Sequence, residues 1–88
     1  MKINQDFALR QIGDKWIAVS VSDETDNKKL FITLNETGAF IFKQLESEKN
    51  YDSIIKIMTD KYDVTEEKAR YDFDRFLDIM RTHNIIEE

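Results

Sequence analysis

The sequence lacks cysteine and proline, and it contains only two glycines and one histidine. Without cysteine, the chain has no disulfide bond, no thiolate metal site and no cysteine nucleophile. Two glycines cannot supply a glycine-rich loop that cradles phosphate, so nucleotide binding is not expected. His83 has no second histidine or cysteine to complete a metal site, and no nucleophile motif to form a hydrolytic triad. We therefore expect no metal, no other cofactor and no enzymatic activity.

Long apolar runs and an excess of positive charge are also missing. The formal net charge is −5, whereas affinity for nucleic acid depends on cationic side chains that displace counterions from phosphates. The same charge disfavours an anionic membrane surface. Residues 1–10 lack the basic start and apolar run of a signal peptide, and no apolar stretch is long enough to span a bilayer. These absences predict a cytoplasmic protein that binds neither nucleic acid nor membrane.

The composition that is present fits one small globular domain. The chain has 88 residues, of which 41% are hydrophobic and 35% are charged with mixed sign. A chain of this size has room for one core. No linker, repeat or low-complexity segment divides it, so we expect a single domain over residues 1–88.

Apolar residues that alternate with polar or small ones predict β-strands in the first part of the chain. Two such stretches, residues 7–12 and 16–21, are separated by a connection of hairpin length. Residues 22–29 contain no apolar side chain and predict a solvated loop, after which residues 30–34 resume the strand pattern. The sequence therefore predicts a three-stranded antiparallel sheet.

After Leu34 the apolar period becomes helical. Asn35, Asn50 and Thr65 are side chains that cap helices, and an apolar stripe at helical spacing follows each of them. We expect the helices to end near Ser47, near residues 62–63 and at Asn84, respectively. Three strands followed by three helices predict an α+β, winged-helix-like fold in which the helices cover one face of the sheet.

Three residues leave alternatives open at this point. Phe40 lies opposite the apolar face of the first helix, so either the sheet and the third helix cover it or it belongs to a dimer interface. Gly38 in a first helical turn indicates either close packing of helix on sheet or approach of a ligand backbone. Trp16 fits either the core or a partner surface. Both a monomer and a homodimer are compatible with these patterns.

The segment Leu34-Asn35-Glu36-Thr37-Gly38-Ala39-Phe40-Ile41-Phe42, which follows a short strand and opens a helix, resembles the strand-to-helix signature of the PqqD family. Residues 51–69 and the closing residues 72–86 continue the resemblance, which covers essentially the whole chain. Phe42 stands where these proteins usually have tryptophan, and Asn84 replaces a frequent terminal glycine. The chain thus resembles a divergent member.

The resemblance implies a peptide-binding function. Members of this family capture the leader of a ribosomally made precursor peptide and present it to a modifying enzyme, often a radical S-adenosylmethionine enzyme. It also implies that the leader adds as an extra strand along the third strand and enters the groove between that strand and the third helix. An open sheet edge can accept an extended peptide in this way through main-chain hydrogen bonds.

The predicted peptide-binding residues fall into two sets. Those on the third strand are Lys29, Leu30, Phe31, Ile32 and Thr33, and those on the third helix are Arg70, Asp74, Leu77 and Arg81. The helix residues recur at helical spacing and place one apolar side chain among charges. The other flank of the same helix, with Tyr71, Arg75 and Ile79, is an eligible alternative.

Two other functions fit the same order of elements. A winged-helix DNA-binding or regulatory domain would need a basic recognition helix, but acidic residues outnumber basic ones over residues 66–83. A structural assembly subunit would bind a folded protein through a broad apolar surface. Neighbouring genes without a short precursor peptide would favour that second alternative.

Overall fold

In the computed structural model, which describes residues 1–21 and 31–88, four strands precede three helices and a short strand closes the chain. The elements are β1 (Lys2–Ile3), β2 (Phe7–Ile12), β3 (Lys15–Ser20), β4 (Phe31–Leu34), α1 (Glu36–Gln44), α2 (Tyr51–Lys61), α3 (Glu66–Thr82) and β5 (Ile86–Glu87). The antiparallel sheet β2-β3-β4 followed by three helices confirms the predicted α+β fold.

The three-stranded sheet has β3 at its centre. Its strands are antiparallel, with Leu9 opposite Ala18 and Ala18 opposite Ile32. A two-residue turn joins β2 to β3, and Gly13 supplies the positive φ of 62° that such a turn requires. In the described part of the chain, β2 and β4 are therefore the two edges.

A second, two-stranded sheet joins the two ends of the described chain. β1 pairs with β5 in antiparallel register, with Ile3 opposite Ile86. The sequence patterns predicted no strand at either end of the chain, so this pairing was not anticipated. Asn84 ends α3 as predicted, and it takes a φ of 58° that asparagine tolerates better than most residues.

All three predicted helix caps are confirmed. The side chains of Asn35, Asn50 and Thr65 each accept a hydrogen bond from the main-chain N–H three residues later. An N-cap of this kind satisfies an amide that the helix itself leaves without an acceptor. α1 ends at Gln44, a little before its expected end.

The core lies between one face of the sheet and the helices. Its largest fully buried side chains are Phe42, Phe73, Ile41, Leu45, Ile54, Met58, Leu77, Met80 and Ile85. Phe42 is thus a core residue. None of the helices over residues 31–88 is long and apolar enough to cross a membrane.

Two of the open residues pack at the edge of this core. Phe40 is half-buried, and its ring meets the ring of Tyr62 edge-on at a centroid distance of 5.5 Å. Phe40 thus packs against the core, and Tyr62 at the end of α2 supplies an aromatic partner for it. Trp16 packs partly against the core, with Nζ of Lys43 lying 4.2 Å from its ring centroid.

Candidate functional site

The open edge of β4 begins the candidate site, and its hydrogen-bonding groups follow from the register. The N–H of Val21 donates to the carbonyl oxygen of Asp6 at 2.8 Å, and β2 and β3 meet at the two-residue turn. Because bonded pairs alternate along an antiparallel ladder, Ile17 and Val19 direct their main-chain groups to β2. The neighbouring β3 residues, Trp16 and Ala18, then direct theirs to β4.

The same alternation sorts the residues of β4. Ile32 and Leu34 stand opposite Ala18 and Trp16, so their N–H and C=O groups bond to β3. Phe31 and Thr33 direct both main-chain groups away from β3. The edge therefore offers two N–H donors and two C=O acceptors to an extended chain.

A groove of about 500 Å³ lies between β4 and α3. Its floor is apolar and comes from four elements, with contributions from Leu34, Ile41, Met58, Val64, Phe76 and Ile79. The rim is polar and includes Thr33, Asn35 and Thr37 on one side and Lys68, Asp72 and Arg75 on the other. The open edge and the apolar groove thus lie side by side.

The two basic residues on the α3 rim, Lys68 and Arg75, differ in whether they form an ion pair. Nζ of Lys68 and Oδ1 of Asp72 form an ion pair at 3.0 Å. Arg75 forms no ion pair with any residue that the structure describes. Its Nη1 lies 3.4 Å from the hydroxyl oxygen of Tyr71, a long hydrogen bond. Among the rim residues that the structure describes, Arg75 is therefore a cation available to an incoming carboxylate.

Of the predicted strand residues, Phe31, Ile32 and Thr33 are described, whereas Lys29 and Leu30 lie outside the described residues. Thr33 borders the groove with its backbone at the sheet edge, although its side chain shares the sheet face of Phe31, and Ile32 packs against the core. Phe31 is 63% exposed and projects from the sheet face opposite the helices. The strand residues thus divide among the groove, the core and the outer surface.

The four predicted residues of α3 lie elsewhere. Leu77 is buried in the core, with 2% exposure. Nε of Arg70 donates to Glu66 at 3.2 Å, and Asp74 accepts a hydrogen bond from Tyr51 on α2. None of these side chains contributes to the wall of the groove.

Arg81, the fourth of them, binds Glu88 at the other end of α3. Its Nε donates to Oε2 at 2.9 Å and its Nη2 to Oε1 at 2.6 Å, a bidentate pair that ties α3 to the end of the chain. In this structure Arg70, Asp74, Leu77 and Arg81 do not line the groove, and their contact with a peptide stays a prediction. The wall comes from Lys68, Asp72, Arg75 and Ile79, because a shift of two residues turns a side chain by about 200° around a helix.

Hydrogen bonding and burial shift pKa values on this other side of α3, and Tyr51 and Glu88 are two examples. Partial burial, followed by the hydrogen bond to Asp74, raises the pKa of Tyr51. The hydrogen bonds from Arg81 lower the pKa of Glu88. The Tyr51–Asp74 and Arg81–Glu88 hydrogen bonds join α3 to neighbouring parts of the fold, which indicates a structural role for this flank.

Several groove residues were hard to recognise from the sequence. Met58, Tyr62 and Val64 come from α2 and the turn after it, and their spacing is that of ordinary core residues. The exposed Ile79 beside Arg75 was the usable signal, because a large apolar side chain on a polar flank is unusual.

Across residues 1–21 and 31–88, no cluster of three or more His, Cys, Asp or Glu side chains could hold a metal ion.

Comparison with known families adds a decisive observation to this geometry. Residues 21–86 match the family model of coenzyme PQQ synthesis protein D (PqqD). The chain belongs to the PqqD family. The match includes β4 and all three helices, and so contains both walls of the groove.

One solved structure is similar to this PqqD-family chain over almost its full length. It is described as TbiB1 in complex with the TbiA(beta) leader peptide. The identity is 22%, the similarity covers 99% of this chain and 95% of the other, and the TM-score is 0.75. At this identity the similarity supports the fold. No curated protein matches the chain.

Proposed function

We propose that this PqqD-family protein binds the leader of a ribosomally made precursor peptide and presents the peptide to a modifying enzyme. The observation that carries the proposal is the open edge of β4 beside an apolar groove. The similar solved structure, which contains a leader peptide, supports the same function. Chemistry on the peptide would belong to a separate enzyme, with radical S-adenosylmethionine enzymes as one candidate class.

The bound leader would form a fourth strand next to β4. Main-chain groups of Phe31 and Thr33 would pair with it, and alternate side chains of the leader would enter the groove, as in other cases of strand addition. An apolar leader side chain fits the floor around Phe76 and Ile79. An acidic side chain at the rim would meet Arg75.

The magnitudes require both parts of the site. Main-chain pairing by Phe31 and Thr33 supplies up to four hydrogen bonds, each contributing about 1 kcal/mol net. Such a total corresponds to roughly millimolar affinity before the cost of ordering the peptide is subtracted. Burial of one large apolar side chain in the groove adds about 2 kcal/mol. The edge therefore sets the position of the peptide, while the groove provides selectivity and much of the affinity.

The DNA-binding alternative gains no support from α3. Its exposed surface carries Glu66, Glu67 and Asp78, and its groove-facing flank carries Asp72 beside Lys68. Because its acidic residues slightly outnumber its basic ones, α3 is not the basic recognition helix that binding to the phosphate backbone requires. Because ribosomal precursors are made in the cytoplasm, we propose that compartment for the protein as well.

The test is a titration with the leader peptide encoded next to this gene. Isothermal titration calorimetry should give saturable binding, and amide shift mapping should place the largest changes in β4 and at positions 68, 72, 75 and 79. A leader of the same composition in scrambled order is the control. Changes confined to β1, β2 or α2 would contradict the proposed site.

A further inference from the structure

The helices leave one face of the three-stranded sheet uncovered by any described element. We call it the outer face, and its residues are Ala8, Arg10 and Ile12 on β2, Lys15, Ile17 and Val19 on β3, and Phe31 and Thr33 on β4. Ile12 is 64% exposed and Phe31 is 63% exposed. The opposite face contains Ala18 and Leu34, which are buried against the helices.

The outer face has an apolar centre. Ala8, Val19 and Phe31 form one cross-strand row, and Ile17 stands between Arg10 and Thr33 in the next. Side chains in such rows lie about 5 Å apart and form a continuous surface. Contiguous exposed apolar surface of this kind marks an interaction site more often than scattered single residues do.

The charge of the outer face is opposite to that of the whole protein. β2, β3 and β4 contain no aspartate or glutamate, and the ionisable side chains on this face of the strands are Arg10 and Lys15. The chain as a whole has a formal charge of −5. The carboxylates of Asp6 and Asp14 lie in turns at the two ends of β2. An acidic partner would therefore be attracted to this face and repelled elsewhere.

A second copy of the chain fits this face poorly. Two outer faces in contact would bring Arg10 and Lys15 of each copy into the same cationic interface. This like-charge contact argues against a homodimer through this surface.

We propose that the outer face docks an acidic surface with an apolar centre on the enzyme that modifies the peptide. Phe31 and Thr33 place their side chains on the outer face and their main-chain groups at the open edge. A peptide strand added there directs every second side chain to the outer face and widens it by about a third. The enzyme would thus bind the peptide-loaded chain more tightly than the free chain. This inference rests on the proposed function for the identity of the partner.

The test uses the purified enzyme encoded beside the precursor gene, with the full chain and its leader peptide. Lys15→Glu and Ile12→Ser should each weaken enzyme binding roughly fivefold or more, and the first should also reduce its dependence on salt. Lys56→Glu on α2 is the matched control, because Lys56 is likewise exposed and forms no ion pair with a described residue. That variant should bind the enzyme as the natural chain does. All three variants should keep the leader affinity and the thermal unfolding temperature.

Several results would overturn the inference. The enzyme affinity could be unchanged in both outer-face variants, or Lys56→Glu could lose as much affinity as Lys15→Glu. The enzyme could also fail to bind the loaded chain, or sedimentation could show a dimer that Ile12→Ser dissociates. Failure of the proposed function is distinguishable from these. In that case the leader would leave the β4 amides unshifted, while Lys15→Glu would still weaken the enzyme complex.

Discussion

The hydroxyl of Tyr51 donates a 2.7 Å hydrogen bond to Oδ1 of Asp74, and this bond joins the start of α2 to the middle of α3. The ring centroid of Tyr51 also lies 5.1 Å from that of Phe73 in the core. Asp74 is thereby committed to helix packing. The opposite flank of α3 is left to line the groove beside β4.

Tyr51→Phe should therefore weaken the fold without weakening peptide binding. Removing the hydroxyl deletes one hydrogen bond at a partly exposed position, which we expect to lower the free energy of unfolding by about 0.5–1 kcal/mol. Chemical denaturation measures that change, and calorimetry with the leader measures affinity. Tyr71→Phe is the matched control, because Tyr71 is exposed on the other flank and should change stability little. A loss of leader affinity in Tyr51→Phe alone would contradict this assignment.

Thr33→Pro should weaken peptide binding while the protein stays folded. The N–H of Thr33 points to the open edge, so proline removes a donor that the free protein does not use, at a position where strands tolerate proline. We expect leader affinity to fall at least about tenfold, because the variant loses one main-chain hydrogen bond to the peptide and its edge is no longer flat. Thr33→Val keeps the N–H and should bind nearly as well as the natural chain.

Ile32→Pro provides the contrasting case. The N–H of Ile32 bonds to β3, so this change should destabilise the sheet itself, which circular dichroism on heating would detect. If Thr33→Pro unfolds the protein as much as Ile32→Pro does, the deduced alternation along β4 is wrong.

The two arginines of α3 offer a direct comparison of its flanks. Arg75 lies on the groove rim without an ion pair in the described residues, and Arg81 is engaged by Glu88. Arg75→Glu should weaken binding of a leader with an acidic residue at the rim by about 1 kcal/mol or more. Arg81→Glu should change leader affinity less. Titration calorimetry with both variants decides between the flanks, and the reverse order would restore the flank of Arg70, Asp74 and Arg81.

The Arg81–Glu88 pair predicts a small dependence of stability on pH. Hydrogen bonding by Arg81 lowers the pKa of Glu88 in the folded state. A carboxyl whose pKa is lowered by folding stabilises the fold at pH values above its pKa in the unfolded chain, which is about 4.3. That contribution disappears as the pH falls through the pKa of the folded state. Glu88→Gln should therefore lower the unfolding temperature slightly at pH 7. At about pH 2, below both pKa values, the variant and the natural chain should unfold alike.

Local patterns in the sequence were sufficient for the main elements. Alternation of apolar residues marked the strands of the central sheet, and the caps at Asn35, Asn50 and Thr65 marked the helix starts, because each signal acts within a few residues. The motif over residues 34–42 likewise indicated the family. Phe42 and Leu45 were recognisable as core positions from helical spacing alone.

Long-range packing decided the remaining features. β1 and β5 are two-residue strands at opposite ends of the chain, too short to carry a pattern, and they form only because the fold brings them together. Each flank of α3 combines charged side chains with a large apolar side chain, and the residues of both flanks recur at the same helical spacing. Which flank faces the groove depends on where β4 and α2 lie around the helix, and no periodicity along a single helix contains that information.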